Sequence, residues 1–293
     1  MEKLVLFEKD GAIGKVILNR PEKRNQINRR LFLDLVEAVD QAIADKDVRV
    51  IVFSGKGDHF CNGFDPSDPE ACLNAGESGE VDWFERKANT QEEIDLWMKI
   101  YNCSKPTIGA IKGDVVGGGY FMTLMFDCVV AAEGTMMENS EFALGWAYTN
   151  YVPFEAWKIP MNIAKEKALT GYPITAHEGY RIGLFNRVVP VEELDECAMT
   201  LARRMLKLAP YTLSMHKELY NLAYSMQGIL NIVPYAKEIF NIALHLPGTK
   251  ENQELWENAR KDPDEVLEQC NQLMKNIRKE QLEELKHLDD IRE

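Results

Sequence analysis

Two short segments hold the residue types that chemistry at a carbonyl group needs. His59-Phe60-Cys61-Asn62-Gly63-Phe64-Asp65 comes after the apolar run Val48–Phe53, and Gly113-Asp114-Val115-Val116-Gly117-Gly118-Gly119 comes after another, Thr107–Ile111. Three successive glycines at the start of a helix leave backbone N–H groups unshielded, and the helix dipole favours negative charge there. N–H groups converging from the two loops would suit a carbonyl oxygen that becomes an oxyanion. The same glycines would equally serve to let a strand and a helix pack tightly. A phosphate loop fits less well, because the Lys-Ser/Thr ending and the spaced G-x-G-x-x-G are both missing. Glu141 is the third candidate, in Met136-Met137-Glu138-Asn139-Ser140-Glu141-Phe142-Ala143-Leu144-Gly145. Apolar flanks would raise its pKa by desolvation, which suits proton transfer at neutral pH. An exposed loop glutamate is the more frequent fate of that residue type.

Strands and helices must position these loops. Residues 4–18 read as a hairpin around Asp10-Gly11, and Arg30–Ala44 reads as an amphipathic helix on Leu31, Leu35, Val36, Val39 and Ile43. Val48–Phe53 is a near-continuous apolar strand, which implies a sheet covered on both faces. The stretch from Leu73 to Asn89 is polar and reads as an irregular excursion, with a helix from Thr90 to Asn102 after it. Then follow the strand Thr107–Ile111, a glycine-rich turn over 112–119, a short helix Tyr120–Met125 and a buried strand Cys128–Ala132. After Val191 the pattern turns helical, over 192–208, 211–225, 229–246 and 250–260, with Pro210, Pro247 and Gly248 as breaks. The final charged helix, from Asp264 to Glu293, carries Val266, Cys270, Leu273 and Ile277 on one stripe, which must cover this chain or a neighbouring one. The expected partition is an α/β core over 1–200 and a helical region with a charged tail helix over 201–293.

Composition narrows the function. The chain has 293 residues and a formal net charge of −13, which argues against a nucleic-acid or anionic-membrane binder. Six scattered cysteines without a C-x-x-C pair make a disulfide framework or a zinc site unexpected. The N-terminus is charged where a signal peptide needs an apolar core, and no apolar run approaches membrane length, so a cytoplasmic protein is expected.

Taken in order, the motifs resemble the crotonase (enoyl-CoA hydratase/isomerase) superfamily. Asn19-Arg20-Pro21-Glu22-Lys23-Arg24-Asn25 is similar to its first CoA-contacting turn, Phe60–Asp65 to its F-x-x-G-x-D loop, and Gly113–Asp127 to its G-x-x-x-G-G-G block. The resemblance continues through Leu169-Thr170-Gly171, Ala176, Gly183-Leu184 and Val188–Pro190, covering the first two-thirds of the chain. It implies a spiral of repeated ββα units with a C-terminal helical trimerisation region, assembled as a homotrimer or homohexamer. It also implies an acyl-CoA thioester as substrate, with coenzyme A as part of that substrate and neither a separate cofactor nor a metal. By the same resemblance the N–H groups of Phe64 and Gly118 form the oxyanion hole, and Glu141 is the acid/base. Lys23 and Arg24 would meet the CoA phosphates, with Phe64, Asp65 and Gly118 completing the binding set.

The departures from the family pattern bear on the reaction. Family hydratases carry two glutamates, one of them two residues after the glycine triplet, where this chain has Phe121. A single carboxylate resembles the Δ3,Δ2-enoyl-CoA isomerases and the arylacryloyl-CoA hydratase-lyases. Aromatic residues cluster over 146–157, from Trp146 to Trp157, in place of a glycine-rich stretch. That suggests a cyclic or aryl acyl group, or simply core and subunit packing. Thr149 lies nearest the position where related aryl-CoA dehalogenases place an Asp nucleophile, so dehalogenation is disfavoured. Two alternatives stay open: a thioester hydrolase or decarboxylase on the same fold, and a non-catalytic acyl-CoA binder.

Overall fold

A computed structural model describes residues 2–65, 67–68, 83–139, 142, 149, 152–243, 250, 254 and 263–289. Two sheets organise the first part of the chain. The larger takes the order β1 (Val5–Asp10), β2 (Ile13–Leu18), β3 (Val50–Gly55), β5 (Thr107–Ile111), β7 (Cys128–Ala132) and β10 (Arg187–Val189). The hairpin β1–β2 is antiparallel and all later neighbours are parallel. The smaller sheet has the order β4 (Cys61–Asn62), β6 (Asp114–Val116), β8 (Met136–Glu138) and β9 (Ile174–Thr175). Its first three strands run parallel.

Both faces of the large sheet are covered, as its continuous apolar strands require. On one face pack Leu31, Leu35 and Val39 of α1 (Arg29–Ala44) together with Trp97 and Tyr101 of α2 (Trp83–Asn102). On the other, Leu194, Ala198 and Ala202 of α7 (Leu194–Met205) meet Val50, Val52, Ile108 and Val130. The helix α7 runs through residue 200, so the expected division there falls inside an element that belongs to the core.

Several boundaries differ from expectation. The helix α2 begins at Trp83, seven residues before the expected Thr90, so the end of the supposed irregular stretch is helical. A tertiary contact accounts for this: Lys87 pairs with Glu238 of α9 (Ile229–Ala243) at 3.1 Å, and Lys237 of α9 donates to Gln91 further along α2. The turn over 112–119 contains the strand β6, and α3 (Gly118–Met125) starts on the glycines themselves. Pro210 opens α8 (Pro210–Met226), where its missing N–H is harmless, while α7 already ends at Met205.

Of three more helices, α4 (Val152–Lys158) packs on α5 (Met161–Thr170) and α9, and α6 (Ala176–Arg181) packs on β9 and β10. A buried polar knot ties α3 to α4 and α5. Tyr120 Oη donates to Glu155 Oε1 at 2.5 Å, Lys167 Nζ lies 2.9 Å from the same oxygen, and it also sits 4.3 Å from the Tyr120 ring centroid. The closing helix α10 (Pro263–Asp289) folds back onto the same chain. Its buried stripe is Met274, Ile277 and Gln281, with Leu273 exposed, one step round from the expected face. The expected helix over 250–260 lies almost entirely outside the described residues. Among the described residues no helix is long and apolar enough to cross a membrane.

Candidate active site

The register of the small sheet brings the two expected loops side by side. In the parallel pair β4–β6, Asn62 faces Val116, so the residues that leave the strand ends, Gly63-Phe64 and Gly117-Gly118, leave together. Both turns need glycine at the first step, with φ +83° at Gly63 and +47° at Gly117. A parallel bridge joins Ile27 to Phe64: the Ile27 N–H donates to Gly63 O at 2.8 Å, and the Asp65 N–H donates to Ile27 O at 3.0 Å. That bridge occupies the peptide groups flanking Phe64 and turns its own N–H to the opposite side. Gly118 opens α3, where the first N–H groups have no intrahelical acceptor. Among the described residues, no carbonyl accepts from the N–H of Phe64 or of Gly118. The turns are in contact, since a Cβ added at Gly118 would lie 2.8 Å from Ile27 Cδ1 and 3.1 Å from Phe64 Cε2.

The third segment leaves from the next strand. Val116 faces Glu138 in the parallel pair β6–β8, and the Gly117 N–H donates to Glu138 O at 3.3 Å. The chain then runs through Asn139 towards Glu141, which lies outside the described residues, as do Trp146, Tyr148 and Tyr151 of the aromatic stretch 146–157. Phe142, next after Glu141, packs with Tyr172 against the pair Met274 and Ile277. Phe121, at the place of the first hydratase glutamate, is fully buried, 5.8 Å from the Trp97 ring and 5.7 Å from the Phe154 ring. No carboxylate can act from that position. Phe154 is thus part of the core, while Thr149 donates to Ala236 O at 2.7 Å.

Lys23 closes the short 3-10 turn Pro21–Lys23 and Arg24 follows in the left-handed region with φ +50°. The strain of Arg24 and of Asn25 (φ +56°) is offset locally. Asn25 is wholly buried; its Oδ1 accepts from the Arg20 N–H, and its Nδ2 donates to Lys56 O and His59 O. The Asn62 N–H donates to Arg24 O at 3.0 Å, which sets this basic turn beside the Phe64 loop. Arg24 is exposed and Lys23 half-buried. Asp65 is buried, with Oδ2 2.6 Å from Arg20 and Oδ1 accepting from Ser67. Its carboxylate thus braces the loop from within; burial raises its pKa, but those hydrogen bonds outweigh it and hold the group below the usual value.

Sequence reading missed a chain of charged residues across the small sheet. Arg278 of α10 reaches Glu138 Oε2 at 2.9 Å through Nε and Asp114 Oδ1 at 2.8 Å through a terminal nitrogen. The Asp114 N–H in turn donates to His59 Nδ1 at 2.9 Å. Burial pushes the Glu138 carboxyl up, with Arg278 opposing, and burial pushes the His59 imidazole down. Asp114 and Glu138 stand two positions apart in register on neighbouring strands, hence on one face, but only the fold shows that residue 278 lies over them.

The family model described as enoyl-CoA hydratase/isomerase matches residues 8–241. A Thermus thermophilus protein assigned as an enoyl-CoA hydratase is 32% identical over 216 residues, covering 74% of this chain and 83% of its own length. A carnitinyl-CoA dehydratase of Proteus mirabilis is 30% identical over 217 residues, covering 72% of this chain and 77% of its own. Among solved structures, an enoyl-CoA hydratase/isomerase from Xanthobacter autotrophicus Py2 superposes with a TM-score of 0.81 at 27% identity, over 92% of this chain and 98% of that one. The chain belongs to the enoyl-CoA hydratase/isomerase family of the crotonase superfamily. It is an enzyme of that type, with activity on acyl-CoA.

Proposed function

We propose that this enzyme converts an acyl-CoA thioester through an enolate whose oxygen is held by the N–H groups of Phe64 and Gly118. The observation that carries the reading is the pairing of β4 with β6, which sets on adjacent turns two N–H groups that no carbonyl of the described residues accepts from. Donors fixed in advance stabilise charge as it develops without reorganising at the moment of reaction. Glu141, leaving the neighbouring strand, is the acid/base, and Lys23 and Arg24 serve the CoA phosphates. With Phe121 in an aromatic cluster, one carboxylate remains for proton transfer. One base that removes an α-proton and returns it elsewhere on a dienolate suffices for isomerisation, which is the reaction this site favours over two-carboxylate hydration. The aromatic residues over 146–157 favour a cyclic or aryl acyl group.

A panel of aliphatic, alicyclic and aryl enoyl-CoA esters, incubated with the enzyme and weighed by mass spectrometry, tests the reading. An unchanged mass with a shifted double bond is expected. Gain of one water would assign hydration instead, and loss of CoA or of carbon dioxide would overturn the enolate-isomerase reading.

Assembly into trimers or hexamers is part of the same proposal. Tyr211, Met215, Leu219, Leu222 and Met226 form one exposed stripe along α8, at helical spacing. Such a face calls for a partner, and a second copy supplies one. Sedimentation at micromolar concentration should show an oligomer; a monomer would remove this part.

A further inference from the structure

We infer that Arg278 is a positioning residue for the oxyanion turn, acting from the C-terminal helix through Glu138 and Asp114; this rests on the enolate reading above. The guanidinium is the one link in the described structure that ties the side chains of β6 and β8 together from outside the sheet. Its Nε and a terminal nitrogen take Glu138 Oε2 and Oε1 at 2.9 and 2.8 Å, and the terminal nitrogen also takes Asp114 Oδ1 at 2.8 Å. A planar fork with fixed donors suits two carboxylates in a way that a lysine ammonium does not.

Both carboxylates lead to the turn. Glu138 is held by its side chain to Arg278, while its carbonyl accepts from the N–H of Gly117, the residue before Gly118. Asp114 begins the strand that ends at Val116, just before Gly117, and its N–H donates to His59 Nδ1 at the entrance of the Phe64 loop. Displacing Glu138 or Asp114 therefore moves the frame that holds both N–H donors. The helix is fixed on either side of the arginine: Met274 and Ile277 pack with Phe142 and Tyr172, and Gln281 donates to Pro173 O at 3.1 Å. Glu138 is almost wholly buried, and half-shielded Arg278 is the cation that balances it. Losing that partner leaves a buried carboxylate uncompensated, which forces the strand end to shift or the proton to bind.

The test uses two probes: 3-oxobutanoyl-CoA, whose bound enolate has an ultraviolet absorption that the keto form lacks, and saturated butanoyl-CoA, which reports ground-state affinity. In Arg278→Gln, kcat on the best panel substrate should fall about tenfold, as expected for a misplaced catalytic group. The pH midpoint of bound-enolate formation should rise by about one unit, a tenfold loss of enolate over keto form. Butanoyl-CoA affinity should stay within about twofold, because uniform binding is untouched. Arg278→Lys should recover part of both losses. The double variant Arg278→Gln/Glu138→Gln removes one charge of each sign, and it stands in if the single variant does not fold. If positioning is the cause, its midpoint stays raised at unchanged net charge. A midpoint that returns to that of the unmodified enzyme, an unaffected Arg278→Gln, or an equal fall in kcat and butanoyl-CoA affinity would each overturn the role of Arg278. An unmodified enzyme that binds butanoyl-CoA but never forms the enolate would instead sink the enolate reading, and this inference with it.

Discussion

Glu141→Gln is expected to lower turnover of an acyl-CoA thioester by about two to four decades, the usual worth of one positioned proton-transfer group. Gln keeps the shape of the side chain and cannot take up or release the proton. Two described positions offer no substitute. Phe121 stands where a second glutamate would act and is packed among Trp97 and Phe154. Glu138, three residues earlier, has its carboxylate committed to Arg278. Affinity for the thioester should change little, since binding falls to other groups, so the loss should appear in kcat rather than KM. Steady-state kinetics at neutral pH would decide, and turnover near that of the unmodified enzyme would remove Glu141 from the mechanism.

The second large effect is expected at Gly119. A Cβ added there would lie 2.4 Å from the Cys61 carbonyl oxygen and 2.7 Å from Cys61 Cβ, both too close for any atoms to tolerate. Backbone cannot rotate away as a side-chain tip can, so α3 and β4 must separate. Those are the two elements that carry the paired turns. Gly119→Ala should therefore cost about a hundredfold or more in kcat, comparable to deleting one oxyanion donor. Overpacking of this kind also costs about 1–3 kcal/mol of stability, so the variant should be assayed well below its melting temperature. Gly118→Ala provides the contrast: its nearest contacts are Ile27 Cδ1 and the edge of the Phe64 ring, which can give way. A smaller loss is expected there. If Gly119→Ala, shown folded by circular dichroism, kept its activity, separation of the turns would not matter to catalysis.

How far the fold could be read in advance depended on whether a signal was local. The hairpin around Asp10-Gly11, the amphipathic α1 and the apolar β3 and β5 announce themselves through period and turn chemistry, and they stand as expected apart from shifts of a residue or two at some ends. The strands β4 and β6 do not, because two or three residues carry no periodicity; their pairing is visible only in register. Yet the two loops they lead into were legible from their glycines, while the choice of Phe64 and Gly118 within them came from the family resemblance. The early start of α2 is held by the ion pair of Lys87 with Glu238 of α9, some 150 residues later, which no window along the chain reports. The C-terminal stripe was judged from apolar residues alone. The face that docks also uses Arg278 and Gln281, polar residues turned inward because their partners lie on β6, β8 and at Pro173. A charged residue in a charged helix gives no sign of such a partner.

The most direct test is a crystal structure of the enzyme with an acyl-CoA thioester bound. The thioester oxygen should lie about 2.7–3.1 Å from both the Phe64 and the Gly118 nitrogens, the distance at which donors act on an oxyanion. A bound thioester whose oxygen meets neither nitrogen, with both N–H groups turned to protein or water, would contradict the enolate mechanism at its root.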